Sequence, residues 1–358
     1  MSTRARPLAV PLAAVLLIAA CTGGGSSPSA TGQASEPAPS QPEASVEPAA
    51  TPAPQAAVEL TLAHSYQDAQ PQARCGAQVI KTEAEAADVG LTIEIFGASQ
   101  LGGDADRIQS VIAGDIDLDI QGASALSAVF APMSAVDGAF VFDDSDHMYN
   151  FFASEASDDL KQGFLDATGV NILGGWNTGA RQFTANKAIR SPDDLQGLRM
   201  RFPPSPQFLM NAAAMGANAV EVAYEELYLA LQQGTVDGQE NPLVNIDAIN
   251  LDEVQAYISL SSHQLSSNLV IVGPVWGDLS EEQQQALSAA VEKAMVEEPK
   301  CVVEAEETIL AGFRESGSME IVEDVDRDAF LERAEPYLRD NFTAEQVAVL
   351  DAIRSVAK

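Results

Sequence analysis

Basic residues, histidine and cysteine are all scarce in this chain of 358 residues, and each scarcity closes off a class of function. Lys and Arg number 19 against 52 Asp and Glu, a formal net charge of −33. A chain this acidic repels phosphate backbones and anionic bilayers, so no nucleic-acid partner is expected. Three cysteines cannot build a cysteine metal cluster, and the three histidines, His64, His147 and His263, lie far apart in sequence. No cofactor or metal is therefore expected. The chain also lacks a G-x-S-x-G elbow, a Walker loop, an H-E-x-x-H pair and a C-x-x-C pair. Its carboxylates are too numerous for any pair to indicate acid–base catalysis, so an enzyme is not expected. What the chain has is a hydrophobic content of 46%, enough for a real core, and length for two domains at roughly 100–200 residues each.

The only long apolar run lies at the N-terminus. Arg4 and Arg6 precede Leu8 to Leu17, a stretch too short to span a bilayer. It ends Leu17-Ile18-Ala19-Ala20-Cys21, which resembles a bacterial lipoprotein cleavage box. On this reading residues 1–20 are a signal peptide and Cys21 carries the lipid. Residues 21–56, rich in Pro, Ser and Ala and free of aromatics, form a disordered tether with a reach of roughly 30 Å. The body is thus expected outside the cytoplasm, held to a membrane's outer face. Cys75 and Cys301 then remain as a pair that an oxidising compartment permits to bridge, two separate buried thiols being the alternative.

Along the body, strand and helix signals alternate. Glu59 to Ala63, Leu91 to Phe96, Ile116 to Ile120 and Val270 to Val275 read as strands. Gln72 to Asp88, Asp104 to Ala113 and Glu225 to Gln233 read as helices, the latter two closed by Gly114 and Gly234. Ser280 with Gln283 forms a capping box that opens a helix running to about Glu315, with Pro299 expected to kink it. Thr343 with Gln346 opens a last helix. The fold class expected is α/β, with a largely parallel sheet.

The middle third carries the specific pattern. Gly174-Gly175-Trp176-Asn177-Thr178-Gly179-Ala180-Arg181-Gln182-Phe183 is followed by Gly197-Leu198-Arg199-Met200-Arg201-Phe202-Pro203. Then come Tyr224-Glu225-Glu226-Leu227 and Val236-Asp237-Gly238-Gln239-Glu240-Asn241-Pro242. In this order and spacing the blocks resemble the DctP-type solute receptors of tripartite ATP-independent periplasmic (TRAP) transporters, over about residues 57 to 340. The resemblance implies a two-lobe periplasmic-binding-protein-like fold, with a ligand cleft between the lobes and a long helix spanning both. It implies one lobe of 57–178 plus about 267–306, and another of 179–266 plus about 307–358. It also implies a monomeric receptor that closes on an organic-acid anion and delivers it to a membrane permease. Arg201 resembles the family's carboxylate-binding arginine, Arg181 its second cleft arginine, and Asn241 its cleft asparagine. Tyr224 stands where an aromatic packs on the ligand. Trp176, Gln121 and Gln67 complete the expected contact set, Trp176 and Tyr224 being equally readable as core aromatics and Asn241 as a turn residue before Pro242.

Local chemistry points the same way. In so acidic a chain an anion site must be local and cationic, and Arg181, Lys187, Arg190, Arg199 and Arg201 cluster here. Arginine suits a desolvated carboxylate because its planar fork donates two parallel hydrogen bonds. Arg199, Lys187 and Arg190 read as surface charges, and His263 as a structural histidine. A sensor or scavenger of the same fold, with no permease, is the alternative function.

Overall fold

The computed structural model describes residues 57–357; Cys21, the signal segment and the tether lie outside them. Ten strands form the framework: β1 (Val58–Ala63), β2 (Leu91–Phe96), β3 (Leu118–Gln121), β4 (Asn171–Ala185), β5 (Arg199–Phe202), β6 (Asn218–Glu221), β7 (Gly238–Pro242), β8 (Tyr257–Ser259), β9 (Leu265–Val272) and β10 (Glu320–Val322). The main path runs β2-β1-β3-β9-β4-β7-β5-β6. β1 pairs in parallel with β2 and β3, and β5 in parallel with β6 and β7. The sheet is nevertheless mixed, because β4 and β9 run antiparallel to each other and to their outer neighbours β7 and β3. They are the crossing strands. β4 pairs with β9 from Asn171 to Ala180, then with β7 from Arg181 onward, so one strand of 15 residues serves both halves.

Strand directions place the cleft. β3 runs with β4, toward the second half, while β7 and β5 run against it, toward the first. The C-terminal ends of the parallel strands in both halves therefore face each other across β4 and β9. In open α/β sheets that edge is where ligands bind, since side chains just past the strands converge there.

Local signals account for the helices. Asp104–Ala113 ends at Gly114 in the left-handed conformation. The Ser280 and Thr343 capping boxes both form. The long helix Glu281–Ser316 continues through Pro299 and packs against β4. Gly174 permits that approach, since a Cβ there would sit 2.5 Å from Met295 Sδ. Gly179 lies at a bulge with φ +112°, and its Cβ would meet Glu306 Oε1 at 2.8 Å. Cys75 and Cys301 form a disulfide between the π-helical turn Gln72–Ala77 and the long helix.

Further expectations need correction. The strand expected over Val270 to Val275 instead spans Leu265–Val272, because Pro274 opens a 3₁₀ turn over Pro274–Asp278. The strand predicted from Ile116 starts at Leu118, and all four of its residues are buried because both faces of the sheet are covered. Its buried acid, Asp119, is accommodated by an ion pair with Arg107. The C-terminal region does not belong wholly to the second half. Arg327–Asn341 does sit there, with Phe330 against Phe183. The last helix, Ala344–Arg354, instead packs on the first half: Gln346 Nε2 donates to Ser134 Oγ at 2.6 Å, and the Ile353 carbonyl meets His147 Nε2 at 2.8 Å. Its apolar face of Val349, Leu350 and Ile353 is buried in that core.

Candidate ligand-binding site

Each facing strand end meets a counterpart. Past β1, Gln70 Nε2 donates to Asn245 Oδ1 past β7, at 3.0 Å. Past β2, Ser99 Oγ donates to Glu225 Oε1 past β6, at 3.4 Å. Past β3, the Ser124 carbonyl accepts from Ser205 Oγ past β5, at 3.3 Å. These contacts outline a closed cleft whose floor is β4 and β9.

Arg201 enters it from β5. Its side chain is 1% exposed, and its Nε is spent on the Val222 carbonyl at 2.8 Å. Its Nη1 is buried without a hydrogen-bond partner. Burial pulls the guanidinium down to about 10; Glu240 opposes the drop and Arg181 adds to it. The group still carries its charge at neutral pH, held where an incoming anion would relieve it.

Arg181, expected as a second ligand contact, is paired within the protein. Its Nε and Nη2 both engage the Glu240 carboxylate, Nη1 donates to Ser266 Oγ at 2.8 Å, and Nη2 also reaches the Glu240 carbonyl and Asn241 Oδ1. Its guanidinium also lies 4.7 Å over the Phe208 ring. Burial disfavours the Glu240 anion, but Arg181 and His263 together hold its carboxyl below the usual glutamate value. Arg181 thus neutralises a fully buried acid and braces the wall beside Arg201. His263 belongs to the same brace, stacked 4.2 Å from Phe183 and bonded to Ser261 and Glu240.

The remaining expected residues divide. Asn241 is buried, tied to Arg181 and to Gln239 Oε1 at 2.7 Å, within reach of the cleft but internally committed. Tyr224 is half-buried beside Arg201, its hydroxyl donating to the Asn245 carbonyl at 2.9 Å. Gln121 ends β3 and donates to Asp119 Oδ2 at 2.7 Å. Gln67 is exposed on the loop after β1 and lines an outer groove with Arg74 and Glu304. Trp176 points away, into the core, against Gly76 and the long helix. Arg199 is exposed and paired with Asp237, as a surface charge. Gln72, Gln207, Gln264 and Asn268, neutral amides that carry no local sequence signal, each bury a side-chain N or O without a partner. The His64 ring follows β1 directly at the cleft.

Comparison with known proteins gives the family and the fold. The model of the family described as bacterial extracellular solute-binding protein, family 7 (DctP), matches residues 62–345. The 2,3-diketo-L-gulonate-binding periplasmic protein YiaO of Escherichia coli is 31% identical over 268 residues, 74% of this chain and 81% of that protein. The uncharacterized protein y4mM of Sinorhizobium fredii is 33% identical over 281 residues, 77% of this chain, although the match spans only 51% of that longer protein. A TRAP periplasmic solute-binding protein of Polaromonas, solved bound to D-erythronate, superposes with a TM-score of 0.77 at 28% identity, covering 84% of this chain and 99% of that one.

Proposed function

The chain belongs to the DctP family of bacterial extracellular solute-binding proteins, and from that premise we propose that it is a receptor for an organic-acid anion held by Arg201. The observation that carries the assignment is a buried arginine with one N–H edge lacking a partner, at the place where the parallel strands of both halves point. A carboxylate leaving water loses several kcal/mol of solvation and needs such a charge-bearing, hydrogen-bonding partner. The acids named in the descriptions of YiaO and of the Polaromonas structure support the same class of ligand here.

The receptor delivers its anion to a TRAP permease, which the family relation supports. Lipidation at Cys21 keeps the body near that permease, and it acts as a monomer. It is not an enzyme: its role ends with capture and release. Equilibrium dialysis of purified protein against candidate acids tests this. Stoichiometric retention of unchanged acid is the expected result. Turnover, or failure of every acid to bind, would overturn the assignment.

A further inference from the structure

Ten buried side-chain N or O atoms among the described residues lack a hydrogen-bond partner. Seven of them, on His64, Gln72, Ser124, Arg201, Gln207, Gln264 and Asn268, belong to residues at or just past the facing strand ends or at β9, where buried polar groups should otherwise be paired. Their donor or acceptor character can be read from the bonds that anchor them.

Asn211 is oriented by backbone groups: its Nδ2 donates to the Asp137 carbonyl at 2.8 Å and its Oδ1 accepts from the Ala139 N–H at 3.1 Å. Gln207 must then donate its Nε2 to Asn211 Oδ1, leaving Oε1 as an acceptor. Gln264 must accept from Asn211 Nδ2, leaving Nε2 as a donor. Asn268 donates Nδ2 to the Ser267 carbonyl, so its Oδ1 is a second acceptor. Gln70 Oε1 takes the Gln67 N–H, which turns Asn245 Oδ1 toward Gln70 and Gln72 and leaves Gln72 Oε1 as a third. His64 accepts the Tyr66 N–H at Nδ1, and burial lowers its pKa to about 4, so the neutral ring presents Nε2–H as a donor.

The charge inventory is as narrow. Among the described residues the buried cations are Arg107, Arg181 and Arg201. Arg107 is paired with Asp104 and Asp119, and Arg181 with Glu240. One cation is left for a ligand. Resting on the receptor reading above, we propose that the solute is a polyhydroxylated monocarboxylate, a sugar acid, rather than a dicarboxylate. Arg201 takes its single carboxylate. Its hydroxyls donate to the Gln207, Asn268 and Gln72 oxygens and accept from Gln264 and His64. A dicarboxylate without hydroxyls, such as succinate, brings at neutral pH no donor for the three acceptors, and any dicarboxylate brings a second charge with no buried cation to meet it.

Calorimetry with D-gluconate, D-glucuronate, succinate, hexanoate and sorbitol tests the proposal. A sugar acid should bind at least about 100-fold more tightly than succinate or hexanoate, because a site built to bond hydroxyls rejects analogues lacking them. Sorbitol, without the carboxylate, should be weak. Gln207→Met preserves chain length and removes the free acceptor together with the Nε2 bond to Asn211, whose Oδ1 keeps the Ala139 N–H. With its unliganded melting temperature as the folding check, it should weaken the sugar acid by roughly tenfold and leave hexanoate unchanged. Succinate binding as tightly as the sugar acids, or an unaltered sugar-acid affinity in Gln207→Met, would overturn the substrate class while leaving the receptor standing. Binding by none of the acids would instead sink the receptor reading itself.

Discussion

Replacing Arg201 by alanine should have two consequences of very different size. In the unliganded protein, a guanidinium pulled from 12.5 to about 10 by its surroundings carries an unfavourable environment of about 3 kcal/mol. Its removal relieves that. Against the relief stand about 2 kcal/mol of buried methylenes and about 1 kcal/mol for the bond to the Val222 carbonyl. The terms nearly cancel, so the unliganded variant should melt close to wild type. Binding is another matter, because the ligand's carboxylate would enter the cleft unpaired. Truncating one member of a buried charge pair costs about 2–5 kcal/mol, or roughly 30-fold to several thousand-fold in Kd. Arg201→Lys should fall between, keeping charge but losing the fork. Arg199→Ala, which breaks only an exposed pair with Asp237, serves as control and should leave Kd unchanged. Calorimetry on folded variants measures all three. An Arg201→Ala protein that binds within about threefold of wild type, less than 1 kcal/mol, refutes the anchor.

Other outcomes follow from neighbouring geometry. Arg181→Ala leaves the buried Glu240 carboxylate with His263 as its remaining side-chain partner and should destabilise by about 3–5 kcal/mol before any ligand is added; a denaturant midpoint like that of wild type would contradict the brace. Glu306, its carboxyl raised by burial to about 7 from 4.5, holds its proton longer in the folded state. Stability from this group is therefore lost as pH rises from about 4.5 to 7. Glu306→Gln should match wild type in melting temperature near pH 4.5 and exceed it at pH 8; parallel curves would rule the effect out. Reducing Cys75–Cys301, which closes a loop across a separation of 226 residues, should lower stability by up to about 5 kcal/mol. Two titratable thiols in the oxidised, denatured protein would show that no bridge exists. Small-angle scattering should give a smaller radius of gyration once the true ligand is added, since the contacts between facing strand ends form on closure. An unchanged profile at saturation would exclude the two-lobe motion.

Much of the architecture is legible along the chain because it is decided over a few residues. Alternation in Leu91–Phe96, the glycine stop at Gly114, and the Ser280 and Thr343 boxes each act within one turn or strand, and each element appears where expected. The family could be recognised for the same reason, since its blocks are contiguous. The partners of charged groups were not legible. Arg181 and Arg201 lie on neighbouring blocks with the same chemistry, yet Arg181 finds Glu240 at a separation of 59 residues and Arg201 keeps a free edge. Nor could the chain order show that Ala344–Arg354 returns to the first half. Sequence alone determined part of the strand and helix order and named the candidate arginines. Tertiary structure decided which arginine lacks a carboxylate partner and which buried polar groups are left unbonded. Pairing and desolvation depend on distances between residues far apart in the chain, and only the folded crossing of β4 and β9 sets those distances.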